Sequence, residues 1–402
     1  MPLPIPYMPH AIFAVEDGTH RSVPRVLIAP SRYIQGDRIL EHLGRYLSLI
    51  PSTRAAILIS AGGQQRDGAR LVASLRRAEI DAVVVTFQGE CSAAEVARVV
   101  GVLQATTPPV DCVVAVGGGK CVDAGKCVAA RLAVPVAICP SLASSDAPCS
   151  AVSVMYTPVG VSTGVEFFPQ SPALVAIDTR IVAEAPVRYL VAGMGDAMAT
   201  WYEARTCLQN PQARSVLGVR PTLAASALGE LCATTLFAEG VAAVDAVRQR
   251  EVTDALERIV EANTLLSGLG FESGGLAVAH SVAQGFTVLP TVHQQYLHGE
   301  MVAMGLLTQL MVEHQEAEAS QVAAFFAQVG LPIHLGQLAL SPQDTAAPGL
   351  VMETAMRLPY VGNEPFPVMV DTLLAAVHHA HALGQDIAHQ VGDAAYGALH
   401  AP

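Results

Sequence analysis

The sequence predicts an α/β half followed by an all-helical half, an N-terminal Rossmann-like parallel-sheet domain and then a C-terminal helical domain. Three observations carry this. In the first half, short β-branched runs alternate with stretches of helix-like Ala, Leu and Val spacing, the pattern of a parallel sheet covered by helices. From about residue 188 the strand signals stop, and long Ala/Leu-rich segments with Glu and Gln on their polar positions take over. Between one strand and the next helix stands a run of glycines.

Taken in order, "RAAILIS" (54 to 60), "DAVVVTF" (81 to 87), "DCVVAVG" (111 to 117) and "PVAICP" (135 to 140) read as buried strands. The domain boundary falls near "IDTRIVAEAPVRYL", giving residues 26–187 to the α/β domain and 188–402 to the helical domain. Residues 1–25, rich in Pro and without a basic start, read as an irregular extension and not a signal peptide.

Composition removes several function classes. The net charge is −12 with no basic stretch, which argues against a nucleic-acid partner and favours a small diffusible substrate. Mean hydropathy is positive, but it comes from Ala and Val spread everywhere. No uncharged apolar run approaches the roughly 18–20 residues of a membrane helix. A cytoplasmic protein is expected. The 8 cysteines contain no C-x-x-C pair, so they are expected to be free and buried, outside any zinc knuckle or disulfide framework. Low charge and Ala-rich helices favour a homo-oligomer.

The strongest local signal is "VAVGGGKCVDAGKCVAA", residues 114 to 130. Glycines 117 to 119 between a strand and a helix let backbone N–H groups approach a phosphate, although a structural turn gives the same pattern. It is not a Walker A loop, because Cys127 stands where Ser or Thr would hold magnesium. The chain has 2 lysines among 23 basic residues, and both, Lys120 and Lys126, fall here, which points to a site. Asp146, in a polar turn beyond a strand's carboxyl end, is either a ligand-facing carboxylate or an Asx-turn or cap residue. Asp196 is a lone carboxylate in an apolar segment that should begin a helix, and a cap would satisfy it. Grouped with His280 and His298, it makes an open zinc set of three ligands with one position left over. His378, His379 and His381 suggest a second metal site, but a solvated helix face is the expectation.

With these motifs the chain resembles the glycerol dehydrogenase branch of the iron-containing (type III) alcohol dehydrogenase superfamily. The resemblance runs from about residue 26 to the C-terminal region through "VGGGKCVDAGK", "PSLASSDAPCSAVSVMYT", "GMGDAMATWYEAR", "VEANTLLSGLGFESGGLAVAHSVAQGF" and "HGEMVAMG". It implies a dehydroquinate synthase-like architecture with the site in the cleft between the domains. It also implies that Gly117, Gly118, Gly119 and Lys120 lie at the diphosphate of a nicotinamide cofactor, NAD or NADP. Ser141, Ser150, Val152 and Tyr156 would line the dinucleotide. Asp146 would sit near nicotinamide and substrate, and Asp196, His280 and His298 would hold Zn2+, or Fe2+ as the alternative. The implied activity is oxidation of glycerol or a related vicinal diol.

Two departures stand out. Many iron-type relatives carry a histidine four residues after the ligand aspartate, where this chain has Thr200, which favours the three-ligand zinc version. Relatives that prefer NAD carry an acid at the end of the first strand, where "ILISAGGQQRDG" has Ala61, Gly62 and Gly63, so weakened discrimination against NADP is expected. Arg66 could pair with the extra phosphate. Dehydroquinate synthase-like and glycerol-1-phosphate dehydrogenase-like activities need a basic clamp, and from residue 259 onward the chain has only Arg357. A non-catalytic nucleotide-binding homologue is the remaining alternative.

Overall fold

The computed structural model describes residues 7–16, 21–341 and 346–401. Six parallel strands form the central sheet: β1 (Tyr33–Gly36), β2 (Arg54–Ser60), β3 (Asp81–Phe87), β4 (Cys112–Gly117), β5 (Val136–Pro140) and, after an excursion, β8 (Leu174–Asp178). Their spatial order is β1-β8-β5-β4-β2-β3. The four predicted strands are its centre and one edge. The edge strand β1 and the buried β8 were not anticipated.

The chain steps outward from β2 to β3 and then returns to the other side of β2 to lay down β4, pairing Ile57 with Val114. This reversal opens a crevice at the carboxyl ends of β2 and β4, the place where open α/β sheets bind ligands. Successive side chains on the strands face opposite layers: Ile57, Ile59, Val114 and Val116 enter one apolar cluster, and Ala56, Leu58 and Val113 another. The second is closed by α2 (Ala93–Gln104) and α3 (Gly119–Leu132), while α1 (Ala69–Arg77) covers the first.

Between β5 and β8 the chain makes an antiparallel hairpin, β6 (Val152–Tyr156) and β7 (Ser162–Phe167), outside the main sheet. Among the described residues no strand follows Asp178. After the short α4 (Thr179–Glu184) come α5 (Val187–Gln209), α6 (Leu223–Gln249), α7 (Asp254–Glu261), α8 (Ser267–Gly274), α9 (Val278–Phe286), α10 (Pro290–Gln295) and α11 (His298–Val312). Further helices follow, ending with α12 (Ala394–His400). Helix α5 is apolar on nearly every face and buried from Leu190 to Thr200, so it is the axis on which α6, α8 and α11 pack.

Some expectations need correction. The N-terminal extension holds a short helix, Pro9–Phe13, and Arg25 Nη1 donates to the Pro221 carbonyl at 2.5 Å, tying the segment to the helical half. Helix α6 has the length and mean composition of a membrane span but, as expected, no long uncharged run. It carries Glu230, Glu239, Asp245 and Arg248, and its buried face belongs to the largest core cluster. All 8 cysteines are free and buried, as expected.

Candidate metal and cofactor site

Three helices bring the site together. Asp196 lies well inside α5, so the capping role that the sequence left open is excluded: the helix begins earlier, at Val187. His280 lies on α9 and His298 opens α11. These helices approach backbone to backbone because glycines sit at the crossings. A Cβ at Gly299 would overlap the Ala192 carbonyl of α5, and one at Gly305 would overlap the Ala279 carbonyl of α9.

The result is a compact trio. His280 Nε2 and His298 Nε2 each lie 3.3 Å from Asp196 Oδ1. One ligand atom from each residue lies within 4.8 Å of the others. Among the described residues, the histidines near the C-terminus join no such group. His381 is not on a solvated face but buried, with Nδ1 accepting from Leu335 N at 3.2 Å.

Glu203, which the sequence reading missed, sets the chemistry of His280. Its Oε2 is 2.5 Å from His280 Nδ1, while Oε1 accepts from the backbone N–H groups of Ala277 and His280 at 2.7 and 3.0 Å. A buried carboxylate accepts, so Nδ1 donates to Glu203, and Nε2 is the nitrogen turned toward Asp196, the one a cation would take. Asp196 is 1% exposed, and its Oδ1 accepts no hydrogen bond of good geometry. Burial alone would raise the Asp196 pKa, but His298 and His280 outweigh it and hold the carboxyl below the ordinary range. Burial likewise opposes charge on His280, and Glu203 followed by Asp196 overturns that, raising it well above the usual imidazole value. An orphaned carboxylate oxygen facing two imidazole nitrogens is a donor set that fits a divalent cation.

Comparison with known proteins agrees. The sequence profile described as iron-containing alcohol dehydrogenase matches residues 30–179. A glycerol dehydrogenase of Escherichia coli is 42% identical over 369 residues, spanning 90% of this chain and 98% of the relative. One from Thermotoga maritima is 42% identical over 360 residues, 89% of this chain and 97% of the relative. The chain belongs to the iron-containing alcohol dehydrogenase family. The crystal structure of glycerol dehydrogenase from Schizosaccharomyces pombe superposes with a TM-score of 0.87 at 31% identity, covering 92% of this chain and 94% of that one.

Against this family background Thr200 is instructive. Its Oγ1 lies 2.8 Å from Ser267 Oγ, and a Cβ on Gly270 would overlap its methyl group, so α8 packs where a fourth imidazole would have to fit. Ser267, also missed from the sequence, donates to Asp146 Oδ2 at 3.0 Å. Asp146 stands at the start of a short 3-10 turn, yet its side chain makes no capping bond there. Its backbone N–H lies 3.4 Å from Asp196 Oδ2, joining the β5 loop to the trio. Burial first, and the Asp196 carboxylate second, push Asp146 well above the ordinary carboxylate range.

On the cofactor side, Gly118 precedes α3, and the turn of Gly117, Gly118 and Gly119 lies at the mouth of the β2–β4 crevice. Ser141 N donates to the Gly117 carbonyl at 2.9 Å, so the β5 loop borders that turn. Lys120 Nζ is 2.6 Å from Glu90 Oε1 and 5.2 Å from the centre of the Tyr156 ring. The other lysine does something different. Lys126 is 3% exposed, and its ammonium contacts Asp123 Oδ1 and Ser150 Oγ and donates to the carbonyls of Ala147 and Val152 at 2.6 and 2.7 Å. It pins the segment from Asp146 to β6 from beneath. Ser150 therefore faces this buried ammonium, and Val152 meets it through its carbonyl.

Proposed function

We propose that the chain is a metal-dependent, nicotinamide-dependent dehydrogenase that oxidises glycerol or a related vicinal diol to the hydroxyketone. The observation that carries this reading is the buried Asp196 Oδ1, without a hydrogen bond and 3.3 Å from two imidazole nitrogens. Asp196, His280 and His298 are the ligand set, and Glu203 keeps His280 in the tautomer that binds. Bound there, Zn2+, with Fe2+ as the alternative, supplies Lewis acidity that lowers the pKa of a substrate hydroxyl. Asp146, oriented by Ser267, sits between this set and the glycine turn. Gly117, Gly118, Gly119 and Lys120 take the cofactor diphosphate, with Ser141, Ser150, Val152 and Tyr156 along the dinucleotide.

In this reading residues 26–187 hold the nucleotide and 188–402 the metal and substrate, a division supported by the last strand ending at Asp178 and the long α5 starting at Val187. The free, buried cysteines support a cytoplasmic setting. Leu223, Leu231 and Val241, 72, 53 and 42% exposed along α6, support self-association into a homo-oligomer.

The test is metal analysis together with a screen of glycerol, propane-1,2-diol and butane-2,3-diol against NAD and NADP. We expect about one zinc per chain and faster oxidation of vicinal diols than of simple alcohols. Asp196→Asn or His280→Ala should lower turnover by several orders of magnitude with the fold retained. Full activity in protein stripped of zinc and iron, or a preference for glycerol 1-phosphate, would refute the reading.

A further inference from the structure

His293 is left over by the metal set, yet it joins the two halves of the chain. It lies on α10, shortly before His298, and its Nε2 is 2.9 Å from the Gly160 carbonyl at the tip of the β6–β7 hairpin. A carbonyl only accepts, so Nε2 carries the proton. Nδ1 is buried and makes no hydrogen bond, so the Gly160 contact is the polar interaction that orients the ring.

The hairpin tip is shaped for this contact. Gly160 has φ +87°, a conformation that favours glycine, and its N–H closes a turn onto the Thr157 carbonyl at 2.9 Å. Apolar packing does little to place the tip, because Val159, Val161 and Val165 are 85, 55 and 49% exposed. Next to the turn the same hairpin carries Tyr156, which pairs with Ser162 and whose ring lies beneath Lys120. Glu90, the partner of Lys120, also flanks Gly160: a Cβ there would stand 3.4 Å from Glu90 Oε1.

We infer that His293 is a positioning residue for the cofactor: it latches the hairpin across the cleft and so keeps Tyr156 and the Glu90–Lys120 pair against the dinucleotide. The inference rests on the cofactor placement proposed above. The latch belongs to the helical half and its keeper to the sheet half, so one hydrogen bond couples cofactor retention to the relation between the halves.

The experiment uses the full zinc-loaded protein and compares His293→Ala and His293→Gln with the parent. Hydrogen exchange at the amides of 157–163 is measured without cofactor, NADH release by stopped-flow fluorescence, and zinc by elemental analysis. We expect His293→Ala to exchange faster at 157–163 and to release NADH about threefold to tenfold faster, as losing one net hydrogen bond implies. The KM for cofactor should rise without a fall in kcat, and zinc should be unchanged. His293→Gln, whose amide reaches the same carbonyl, should restore both exchange and release. Unchanged exchange in His293→Ala overturns the latch. Faster exchange with unaltered NADH release overturns its role in retention, and loss of zinc assigns His293 to the metal site instead. A parent protein that binds no NADH refutes the proposed function, while the exchange measurement still judges the latch.

Discussion

Glu203 holds Nδ1 of His280 and so decides which of its nitrogens is turned toward Asp196. It was legible in principle: it stands seven residues after Asp196, two helical turns along the same face, in "GDAMATWYEAR". Glu203→Gln would turn an amide N–H toward His280 Nδ1 or force the other tautomer. Zinc affinity should fall by about 10–100-fold, the usual cost of losing such a partner, while circular dichroism stays unchanged; a chelator competition titration reads it. Ala61 is the other residue that matters by type. It is exposed immediately after β2, beside the crevice, so no carboxylate there repels an extra phosphate, and Arg66 nearby pairs through Nε with Asp67 Oδ2 at 2.9 Å. NADP should therefore be disfavoured by no more than about tenfold, about 1.4 kcal/mol. Ala61→Asp should widen the gap chiefly by weakening NADP, as a comparison of kcat/KM for the two cofactors will show. A parent enzyme that already rejects NADP several hundredfold would contradict the argument.

At the scale of elements, the site depends on how closely helices cross. α5 and α11 meet through Gly299, and Arg188, near the start of α5, holds Glu300 of α11 with two bonds of 2.7 Å. Glu300 in turn accepts from Leu297 N at 2.7 Å, fixing the first turn that carries His298. Gly299→Ala should cost about 1–3 kcal/mol in denaturant unfolding, as overpacking does, and should weaken zinc binding, because the helices must separate by the width of the added methyl. Strand β8 shows the opposite side of sequence reading. "LVAID" is fully buried, but four apolar residues before an aspartate do not distinguish a strand from a helix segment. The β6–β7 hairpin escaped for a different reason: half of β7 is exposed and carries Gly and Thr, so it lacks the apolar run that marked the sheet strands.

Across the whole molecule, buried charge beneath the site links folding to pH. Glu272 of α8 accepts from Ala151 N at 2.9 Å, and burial, opposed by that N–H and by Lys126, pushes its pKa from 4.5 to about 8. The folded state therefore holds a proton that the unfolded chain releases. The stability from this group is complete below about pH 4.5, declines as pH rises through the window, and is lost above about 8. The slope is about 1.4 kcal/mol per pH unit at most. Glu272→Gln keeps the acceptor for Ala151 and has no proton to lose, so its melting temperature should gain on the parent steadily from pH 5 to 8. Parallel pH profiles for the two proteins would show that Glu272 is not the titrating group.

What the sequence by itself determined is the change from four strands alternating with helices to helices alone, and the residue types to look for: β-branched runs, glycines after β4, and one carboxylate and two histidines in apolar settings. These are local signals, carried by periodicity and by the cost of burying a polar group. Which polar groups stay open and which are sealed was decided only by the tertiary structure. The two lysines lie less than two turns apart in "GKCVDAGK", yet Lys120 stays half exposed against Glu90 and Lys126 is sealed under the β5 loop. The difference comes from what packs around them, the carbonyls of Ala147 and Val152 for Lys126 and the carboxylate of Glu90 and the ring of Tyr156 for Lys120. Those contacts are set by crossings between segments far apart in the chain, and spacing along it does not encode them.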